Sequence, residues 1–377
     1  MARGLKMTTL TQLIEHYCPD SVECVKLGDV AIRQRGIAIT AAKMRELDSP
    51  NGGIVVFGAG ATRALIDSSE IASTNIHTKD SVIVKARGHV GFEMCTVPFT
   101  TKSELWSYRS DDPKLNIRYG YYFLSEHSGE LAEIARLNGV KLPQLKVSDT
   151  DNYLIPLPPR EVQDAIVERL DAFAALIESL DSEIALREKR FEYFREQLLT
   201  FDESDDVELK EVLKYEQPGK YLVSSTDYDD GFSTAVLTAG KTFILGYTDE
   251  TTGIYEASPD DPVIIFDDFT TAFKWVDFPF KAKSSAMKML TPAVVDSSFR
   301  YIFYAMHDVN VDVTDHKRQW IRTYSKEKIP LPPLDVQQDI AEKLDTMQAL
   351  IDNLKHEREL RKTQFEYYRE KLLTFNS

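Results

Sequence analysis

Three short segments of the chain contain residue types that could support catalysis. Asp267-Asp268, directly after the apolar run Val263–Phe266, could hold a divalent metal ion as in a nuclease. Gly240-Lys241-Thr242 matches the end of a phosphate-binding P-loop, but position 235, where the first glycine of that motif belongs, is Ala. Gly58-Ala59-Gly60-Ala61 lacks the third glycine of a dinucleotide-binding motif. We therefore predict turns or capping residues at these segments, and no nucleotide site.

Metal and cofactor chemistry has no other support in the sequence. The seven histidines show no metal-ligand spacing, and the cysteines, Cys18, Cys24 and Cys95, include no CxxC pair. Three cysteines are also too few for a disulfide framework. No Asn-Pro-Pro-Tyr-like methyltransferase motif is present. The sequence predicts no catalytic residue, no metal ion and no cofactor in this chain.

Side chains suited to DNA contact are concentrated in polar loops. Arg and Lys bind guanine edges and phosphates, Gln binds adenine, and Thr and Tyr bind the backbone. In the first half of the chain the candidates are Arg33, Gln34, Arg35, Arg63, Lys85, Arg87 and His89. In the second half they are Lys241, Thr242, Tyr247, Lys274, Lys281, Lys283, Lys288, Lys317, Arg318 and Trp320. For each of them the alternative is a solvated surface charge.

A duplicated segment organises the elements that must position these side chains. Residues 155–201 and 329–375 align at an offset of 174, with 27 identical residues in 47. Two unrelated helices of similar composition would share far fewer. We predict two half-repeats of roughly 180 residues, each a variable globular segment followed by a nearly constant helical one.

Weaker matches persist between the two globular segments. Val82-Ile83 aligns with Val263-Ile264 at an offset of 181, and Arg118-Tyr119 aligns with Arg300-Tyr301 at an offset of 182. This alignment sets Ala86-Arg87 opposite the two aspartates, which excludes a duplicated carboxylate centre.

Each copy of the duplicated segment predicts a long helix that starts just after its Pro-Leu-Pro-Pro run, because proline fits a helix only in its first turn. Apolar residues then recur in steps of three and four, from Ile166 to Phe201 in the first copy and from Ile340 to Phe375 in the second. This spacing is typical of a coiled coil, so each helix needs a partner. The simplest partner is the other copy, and an antiparallel pair would relate the globular segments by a pseudo-two-fold axis. The alternative is a compact helical bundle.

The globular segments predict a mixed α/β structure, so that the whole chain is of the α+β class. Short apolar runs bounded by Gly, Asp, Ser and Pro favour strands at 53–57, 82–84, 243–245 and 263–266. Short helices are predicted near 118–123, 131–136 and 300–306.

This arrangement resembles the specificity subunit of type I restriction–modification enzymes. The resemblance covers essentially the full length and rests on Ile155–Gln163, Ile329–Gln337 and the F-E-Y-[FY]-R-E-x-L-L-T-F ends of both helices. It implies target-recognition domains at 1–154 and 202–328, and conserved helical spacers at 155–201 and 329–377. Each domain would recognise one half of a bipartite, asymmetric DNA target.

The resemblance also implies partners and cofactors outside this chain. It implies two modification (methyltransferase) subunits that use S-adenosylmethionine and dock on the helices, and restriction/translocase subunits that use ATP and Mg. By this resemblance the chain itself would be a non-catalytic subunit. We expect it in the cytoplasm, because its sequence predicts neither a membrane span nor a signal peptide.

The net charge of −15 at first favours a different class, an acidic coiled-coil scaffold that binds only proteins. The charge is unevenly distributed: residues 1–154 carry 18 basic and 18 acidic side chains, whereas residues 202–328 carry 14 and 23. We therefore expect weak DNA binding by this chain alone and phosphate contacts from its partners.

Overall fold

The structure, a computed structural model, describes residues 17–18, 21–138, 141–202, 205–240, 242–311 and 317–375. It divides into two compact units. Unit 1 contains Met1–Asp181 and Glu357–Ser377, and unit 2 contains Ser182–His356. Each unit therefore combines one globular segment with parts of both long helices.

Unit 1 has a mixed α/β globular part whose strands alternate with short helices. Its strands are β1 (Cys24–Lys26), β2 (Ile32–Arg35), β3 (Ile54–Phe57), β4 (Arg63–Ile66), β5 (Ser81–Lys85), β6 (Gly91–Cys95), β7 (Phe99–Thr101), β8 (Trp106–Arg109) and β9 (Leu154–Pro156). Its helices are α1 (Leu27–Val30), α2 (Ala41–Leu47), α3 (Ile117–Glu126), α4 (Ser128–Asn138) and α5 (Val147–Asp151), followed by the long helix α6 (Arg160–Leu199), which continues into unit 2.

Unit 2 repeats this plan with fewer helices among its described residues. Its strands are β10 (Asp206–Glu208), β11 (Leu213–Glu216), β12 (Thr234–Leu237), β13 (Ile244–Thr248), β14 (Val263–Asp267), β15 (Phe273–Val276), β16 (Phe280–Ala282), β17 (Met287–Pro292) and β18 (Lys328–Pro330). Its helices are α7 (Leu209–Val212), α8 (Phe299–Ala305) and the long α9 (Leu334–Leu373), which ends in unit 1.

The two units have the same sheet topology. A four-stranded antiparallel sheet has the order β2-β8-β5-β6 in unit 1 and β11-β17-β14-β15 in unit 2. A three-stranded sheet, β4-β3-β7 or β13-β12-β16, contains one parallel pair, β3 with β7 or β12 with β16. The α+β class, the internal duplication and the predicted strands and short helices are thus confirmed.

Strand pairing corrects one detail of the sequence alignment. Val82 pairs with Tyr108 in unit 1, and Ile264 pairs with Leu290 in unit 2, so Val82 corresponds to Ile264 at an offset of 182 rather than 181. A shift of one residue would put every side chain of the strand on the opposite face of the sheet. The offset returns to 181 in the next strand. Five residues lie between the paired Lys85 and Gly91, whereas four lie between Asp267 and Ala272, whose backbones are joined by the Asp267 N–H and the Ala272 carbonyl. Asp267 and Asp268 therefore correspond to Lys85 and Ala86.

The Pro-rich entries of the long helices are held by a buried glutamine in each copy. Gln163 donates from Nε2 to the carbonyls of Pro158 and Lys114, each at 2.7 Å, and its Oε1 accepts the Asn116 N–H. Gln337 repeats this pattern with the carbonyl of Pro332 (2.7 Å) and the N–H of Ser298 (2.9 Å). Both long helices begin just after the last proline of the run, as predicted.

A second duplicated contact fixes α3 and α8 on the long helices. Arg118 and Tyr122 both reach Asp171 on α6, and Arg300 and Tyr304 both reach Asp345 on α9. Burial is the main cause that raises the pKa of both tyrosine hydroxyls, which keeps them protonated as donors. The ion pairs and the charge-assisted hydrogen bonds therefore orient each globular segment on its helix.

In unit 1 the two long helices run antiparallel. Phe173 of α6 stacks on Tyr368 of α9 with ring centroids 5.5 Å apart, and Asp181 accepts a 3.0 Å bond from Arg358. Residue numbers thus rise along one helix as they fall along the other. Leu170 and Leu373 are both buried in the core shared with β5 and α3. Burying each such side chain contributes about 1.5–3 kcal/mol.

Unit 2 shows the same antiparallel pairing in the other halves of the helices. Glu188 pairs with Lys355 at 2.8 Å, and Phe191 and Ile351 are buried in one core with α8. The predicted series of apolar residues along α6 is not buried throughout, because the side chain of Phe194 is 38% exposed. Antiparallel pairing is confirmed within each unit, whereas knobs-into-holes packing stays a prediction. None of the described helices is both long and apolar enough to cross a membrane.

Candidate nucleic-acid interface

In unit 1 two predicted cations share a single carboxylate. Strands β5 and β6 pair Ile83 with Glu93, and Lys85 at the end of β5 lies on the same face. Lys85 Nζ lies 2.8 Å from one oxygen of Glu93, and Arg63 Nη2 bonds the other. Arg63 also lies over the ring of Phe57, 5.2 Å from its centroid. Glu93 therefore holds both side chains close to the sheet and leaves the cluster one net positive charge.

The run Arg33-Gln34-Arg35 lies on β2, an edge strand of the four-stranded sheet, where successive side chains point to opposite faces. Gln34 accepts 3.0 Å bonds from the hydroxyls of Ser81 and Ser107, so its carbonyl oxygen stabilises the sheet. Arg33 lies 3.4 Å from Asp151 and is about one-third exposed, whereas Arg35 is exposed. Arg35 is therefore the most accessible of the three to a ligand.

Arg87 and His89 lie at the tip of the β5–β6 hairpin and are both exposed. Gly88 between them adopts φ +78°, a backbone conformation that favours glycine. The tip is bound to the segment after α4, because Gly88 N–H donates to the Pro143 carbonyl (2.9 Å) and Leu145 N–H donates to the Ala86 carbonyl (2.8 Å). Both polar side chains are thus presented by an ordered turn.

In unit 2 two of the predicted lysines have intramolecular partners. Lys281 is only 3% exposed; it pairs with Glu250 at 2.9 Å and donates to the Thr252 carbonyl at 2.6 Å. The backbone N–H of Ser225 and then the Lys281 ammonium hold the pKa of Glu250 below its usual range. Lys283 is half-buried and donates to the Tyr228 hydroxyl at 2.9 Å. For Lys281 the expected DNA contact is wrong, because its ammonium stabilises a loop inside the fold.

Lys288 and Asp268 form a fully buried ion pair. Lys288 Nζ lies 2.9 Å from Asp268 Oδ2 and 3.1 Å from Gln217 Oε1, and the two charged side chains are 0% and 1% exposed. The other oxygen of Asp268 accepts the Trp320 N–H at 2.8 Å. The expected DNA contact of Lys288 is therefore also wrong, since its charge is neutralised in the core.

Trp320 is buried as well, with its ring against Phe266 and Tyr324 at centroid distances of 5.2 and 6.0 Å. Its expected contact with DNA is wrong because the indole belongs to the core of unit 2. Lys317 and Arg318, which precede it, are both exposed. The predicted basic run therefore divides into a surface part and an anchoring part.

Three other predicted residues lie on the strands and turns of the unit 2 sheets. Thr242 is exposed next to β13, Tyr247 is half-buried against the core that contains Phe280, and Lys274 is exposed on β15. Lys274 pairs with Ile265, which makes it the counterpart of Glu93 in unit 1. Lys241 lies outside the described residues.

The described residues of the segments that resemble catalytic motifs lie in turns or in connections between strands. Asp267 Oδ1 accepts the N–H groups of Phe269 and Thr270, each at 2.9 Å, as expected for a residue that initiates a turn. The segment with Gly240 connects β12 to β13, whereas a P-loop leads from a strand into a helix. Gly58–Thr62 closes the β3–β4 hairpin. Within the described ranges no three His, Cys, Asp or Glu side chains form a group that could hold a metal ion.

Two residues of the β14–β15 turn are not among the candidates that the sequence predicts. Phe269 is 41% exposed at the tip, and Thr271 adopts φ +59° although it is not glycine. The turn corresponds to the Arg87–His89 tip of unit 1, because Gln319 N–H donates to the Asp268 carbonyl as Leu145 N–H does to Ala86. The sequence signals for DNA contact are clusters of basic and hydrogen-bonding side chains, and Phe269 and Thr271 belong to none of the clusters selected on that basis.

Comparison with protein families gives a match over most of the chain. The family described as "Type I restriction modification DNA specificity domain" matches residues 19–186 and again residues 202–361. The two matches coincide with the two half-repeats.

Individual proteins give consistent similarities. A type I restriction enzyme specificity subunit of Escherichia coli is 51% identical over 192 residues, which cover 48% of this chain and 47% of that protein, so the match spans about half the length of this relative. A putative type I restriction enzyme specificity subunit of Haemophilus influenzae is 26% identical over 298 residues, 70% of this chain and 73% of that protein. A crystal structure of a type I restriction–modification S subunit from M. genitalium superposes with a TM-score of 0.70 at 16% identity, over 94% of this chain and 97% of that one.

Proposed function

Because this chain belongs to the family of type I restriction–modification DNA specificity domains, we propose that it is the DNA-recognition subunit of a type I restriction–modification complex. Each globular segment recognises one half of a bipartite, asymmetric DNA sequence. The chain selects the sequence and performs no catalysis itself.

The observation that carries this proposal is a constant frame with divergent surface residues. Both units share one strand order and the same glutamine and tyrosine anchors on the long helices. At equivalent surface positions their charges are reversed, since Lys85 and Glu93 of unit 1 correspond to Asp267 and Lys274 of unit 2. Two globular segments with the same fold and different surface residues suit two different half-sites, because proteins distinguish base edges by the donors and acceptors that face them.

We further propose that 1–154 and 202–328 are the two target-recognition domains and that 155–201 and 329–377 are helical spacers. The antiparallel contacts of α6 with α9 within each unit support a spacer role. Two rigidly held readers can contact sites about one helical turn of DNA apart, roughly 34 Å, and leave the pairs between them uncontacted.

The partners in this proposal supply the chemistry and most of the phosphate contacts. Two methyltransferase subunits with S-adenosylmethionine dock on the helical segments, and restriction/translocase subunits use ATP and Mg. The net charge of −15 supports this division, because nonspecific DNA affinity depends on the number of phosphates neutralised by Lys and Arg.

The proposal is tested by methylome sequencing of cells that express this chain with its cognate methyltransferase subunits. We expect a motif of two short blocks separated by unspecified bases. Exchange of residues 202–328 for the corresponding segment of another family member should replace one block and leave the other unchanged. As the matched control, exchange of 21–154 should replace the opposite block. A continuous motif, or a motif unchanged by both exchanges, would contradict the proposal.

A further inference from the structure

The β14–β15 turn, Asp268–Thr271, is held more firmly than its surface position requires. Asp267 fixes it from one side, with Oδ1 accepting two N–H groups and its carbonyl accepting the Thr271 N–H at 3.0 Å. Asp268 fixes it from below through the buried pair with Lys288. In this tight turn Thr271 adopts a left-handed φ of +59°, which is unfavourable for a β-branched residue.

The rigid turn presents an apolar group and is bonded to a segment that contains two exposed basic residues. Phe269 follows Asp268 directly and is 41% exposed, and Thr270 next to it is exposed as well. Gln319 N–H donates to the Asp268 carbonyl at 2.7 Å, which brings the exposed residues Lys317 and Arg318 to the same turn. A single exposed phenylalanine is ordinary on a protein surface. A phenylalanine held at the tip of a strained turn, which is bonded to the segment that follows Lys317 and Arg318, needs a further reason.

The corresponding turn of unit 1 has the same frame and different contents. It presents Arg87 and His89 where unit 2 presents Phe269 and Thr270, and it is fastened by Leu145 at the position of Gln319. Arginine suits a guanine edge, whereas phenylalanine suits the C5 methyl group of thymine in the major groove. The two turns therefore differ in the way required of elements that recognise different bases.

We propose that Phe269 contacts a thymine methyl group in the half-site recognised by unit 2, and that Arg318 contacts an adjacent phosphate. This inference rests on the proposed function and assigns one specificity-determining residue within it. Lys288 and Asp268 act as positioning residues, since they hold the turn and do not touch DNA.

The test is a binding cycle with the full chain in complex with its methyltransferase subunits. The target duplex contains the motif identified by methylome sequencing. Each thymine of the unit 2 half-site is replaced in turn by deoxyuridine, which removes only the C5 methyl group of that base. For the wild type we expect about fourfold weaker binding at one position, the equivalent of one buried methyl-sized group. Phe269→Ala should bind the thymine duplex about as weakly and show no further loss with deoxyuridine at that position.

Two matched variants separate the base contact from other effects. Phe232→Ala removes another exposed phenylalanine of unit 2 (37% exposed) and should keep the full sensitivity to deoxyuridine. Arg318→Gln should weaken target and non-target duplexes equally and reduce the salt slope of log K by about 0.9, as expected for one lost phosphate contact.

Several results would overturn the inference while the proposed function stands. They are a unit 2 half-site without any A·T pair, a wild type insensitive to deoxyuridine at every position, or undiminished sensitivity in Phe269→Ala. Failure of the proposed function has a different signature, because the motif would then be unchanged when residues 202–328 are exchanged.

Discussion

The buried ion pair of Lys288 and Asp268 makes a quantitative prediction about the stability of unit 2. Both side chains are essentially inaccessible, and the carboxylate has one further donor, the Trp320 N–H at 2.8 Å. Lys288→Met removes the cation and leaves a buried carboxylate with that donor alone. Removing one partner of a buried pair costs about 3–5 kcal/mol, because the remaining charge stays desolvated.

The double variant separates the pair from its surroundings. Asp268→Asn combined with Lys288→Met leaves no charge in the site, and the asparagine carbonyl can still accept the Trp320 N–H. We expect the double variant to lose only about 1–2 kcal/mol, less than Lys288→Met alone, since replacing both members of a buried pair by neutral groups is far less costly than breaking it.

Urea unfolding followed by tryptophan fluorescence measures these losses, because Trp320 lies in the core that the pair supports. With a slope of about 2 kcal/mol/M, Lys288→Met should lower the midpoint by roughly 2 M. Lys343→Met is the matched control, since its pair with Asp339 is 55% and 59% exposed and should contribute no more than about 0.5 kcal/mol. If the double variant lost as much as the sum of the two single variants, Asp268 and Lys288 would not be coupled and would contribute no ion pair to the stability of unit 2.

Three further perturbations test other parts of the structure. Gln337→Leu leaves the Pro332 carbonyl and the Ser298 N–H without their buried partner and should cost about 2–4 kcal/mol in urea unfolding. Gln348→Leu on α9 removes only a bond to Asp352 from a half-exposed glutamine and should change stability by less than about 0.5 kcal/mol; equal effects would contradict the anchoring role. The pKa of Glu250 is lower in the folded state than its ordinary value of 4.5, so its contribution to stability is fully present above pH 4.5 and is lost as pH falls through the folded value. The difference in free energy of unfolding between the wild type and Glu250→Gln should therefore shrink between about pH 5 and pH 3. A constant difference would exclude this linkage. Four residues inserted after Ser182 and four after His356, where the chain passes between units, lengthen each helix by about 6 Å. The uncontacted DNA spacer in the methylome motif should then widen by roughly one or two base pairs. An unchanged spacer would show that the helices do not set the separation.

Elements with strong local signals were predictable. The Pro-Leu-Pro-Pro runs fix the starts of α6 and α9, because proline is excluded from the helix interior. The 27 identical residues in 47 establish the duplication without any coordinates. The turn role of Asp267 also follows from the sequence, because a carboxylate at that position can accept the next backbone N–H groups.

Predictions of individual DNA contacts failed where charge was the only guide. Lys288 and Lys281 have the same residue type as the exposed Lys274, yet only tertiary contacts with Asp268 and Glu250 bury them. The sequence alignment of β14 with β5 was wrong by one residue. The offset changes from 182 to 181 within the turn that follows, and the residues of the two strands give no sign of that change.

The duplication, the two long helices and the class of the globular segments can be predicted from the sequence alone, because they depend on periodicity, proline geometry and repeated residues along the chain. Tertiary contacts are needed to tell which cations are buried and which are exposed, which strand faces correspond, and that Phe269 lies on a strained turn bonded to the segment after Arg318. Burial and pairing join residues that are distant in sequence, such as Asp268, Lys288 and Trp320, and no local sequence pattern predicts such contacts.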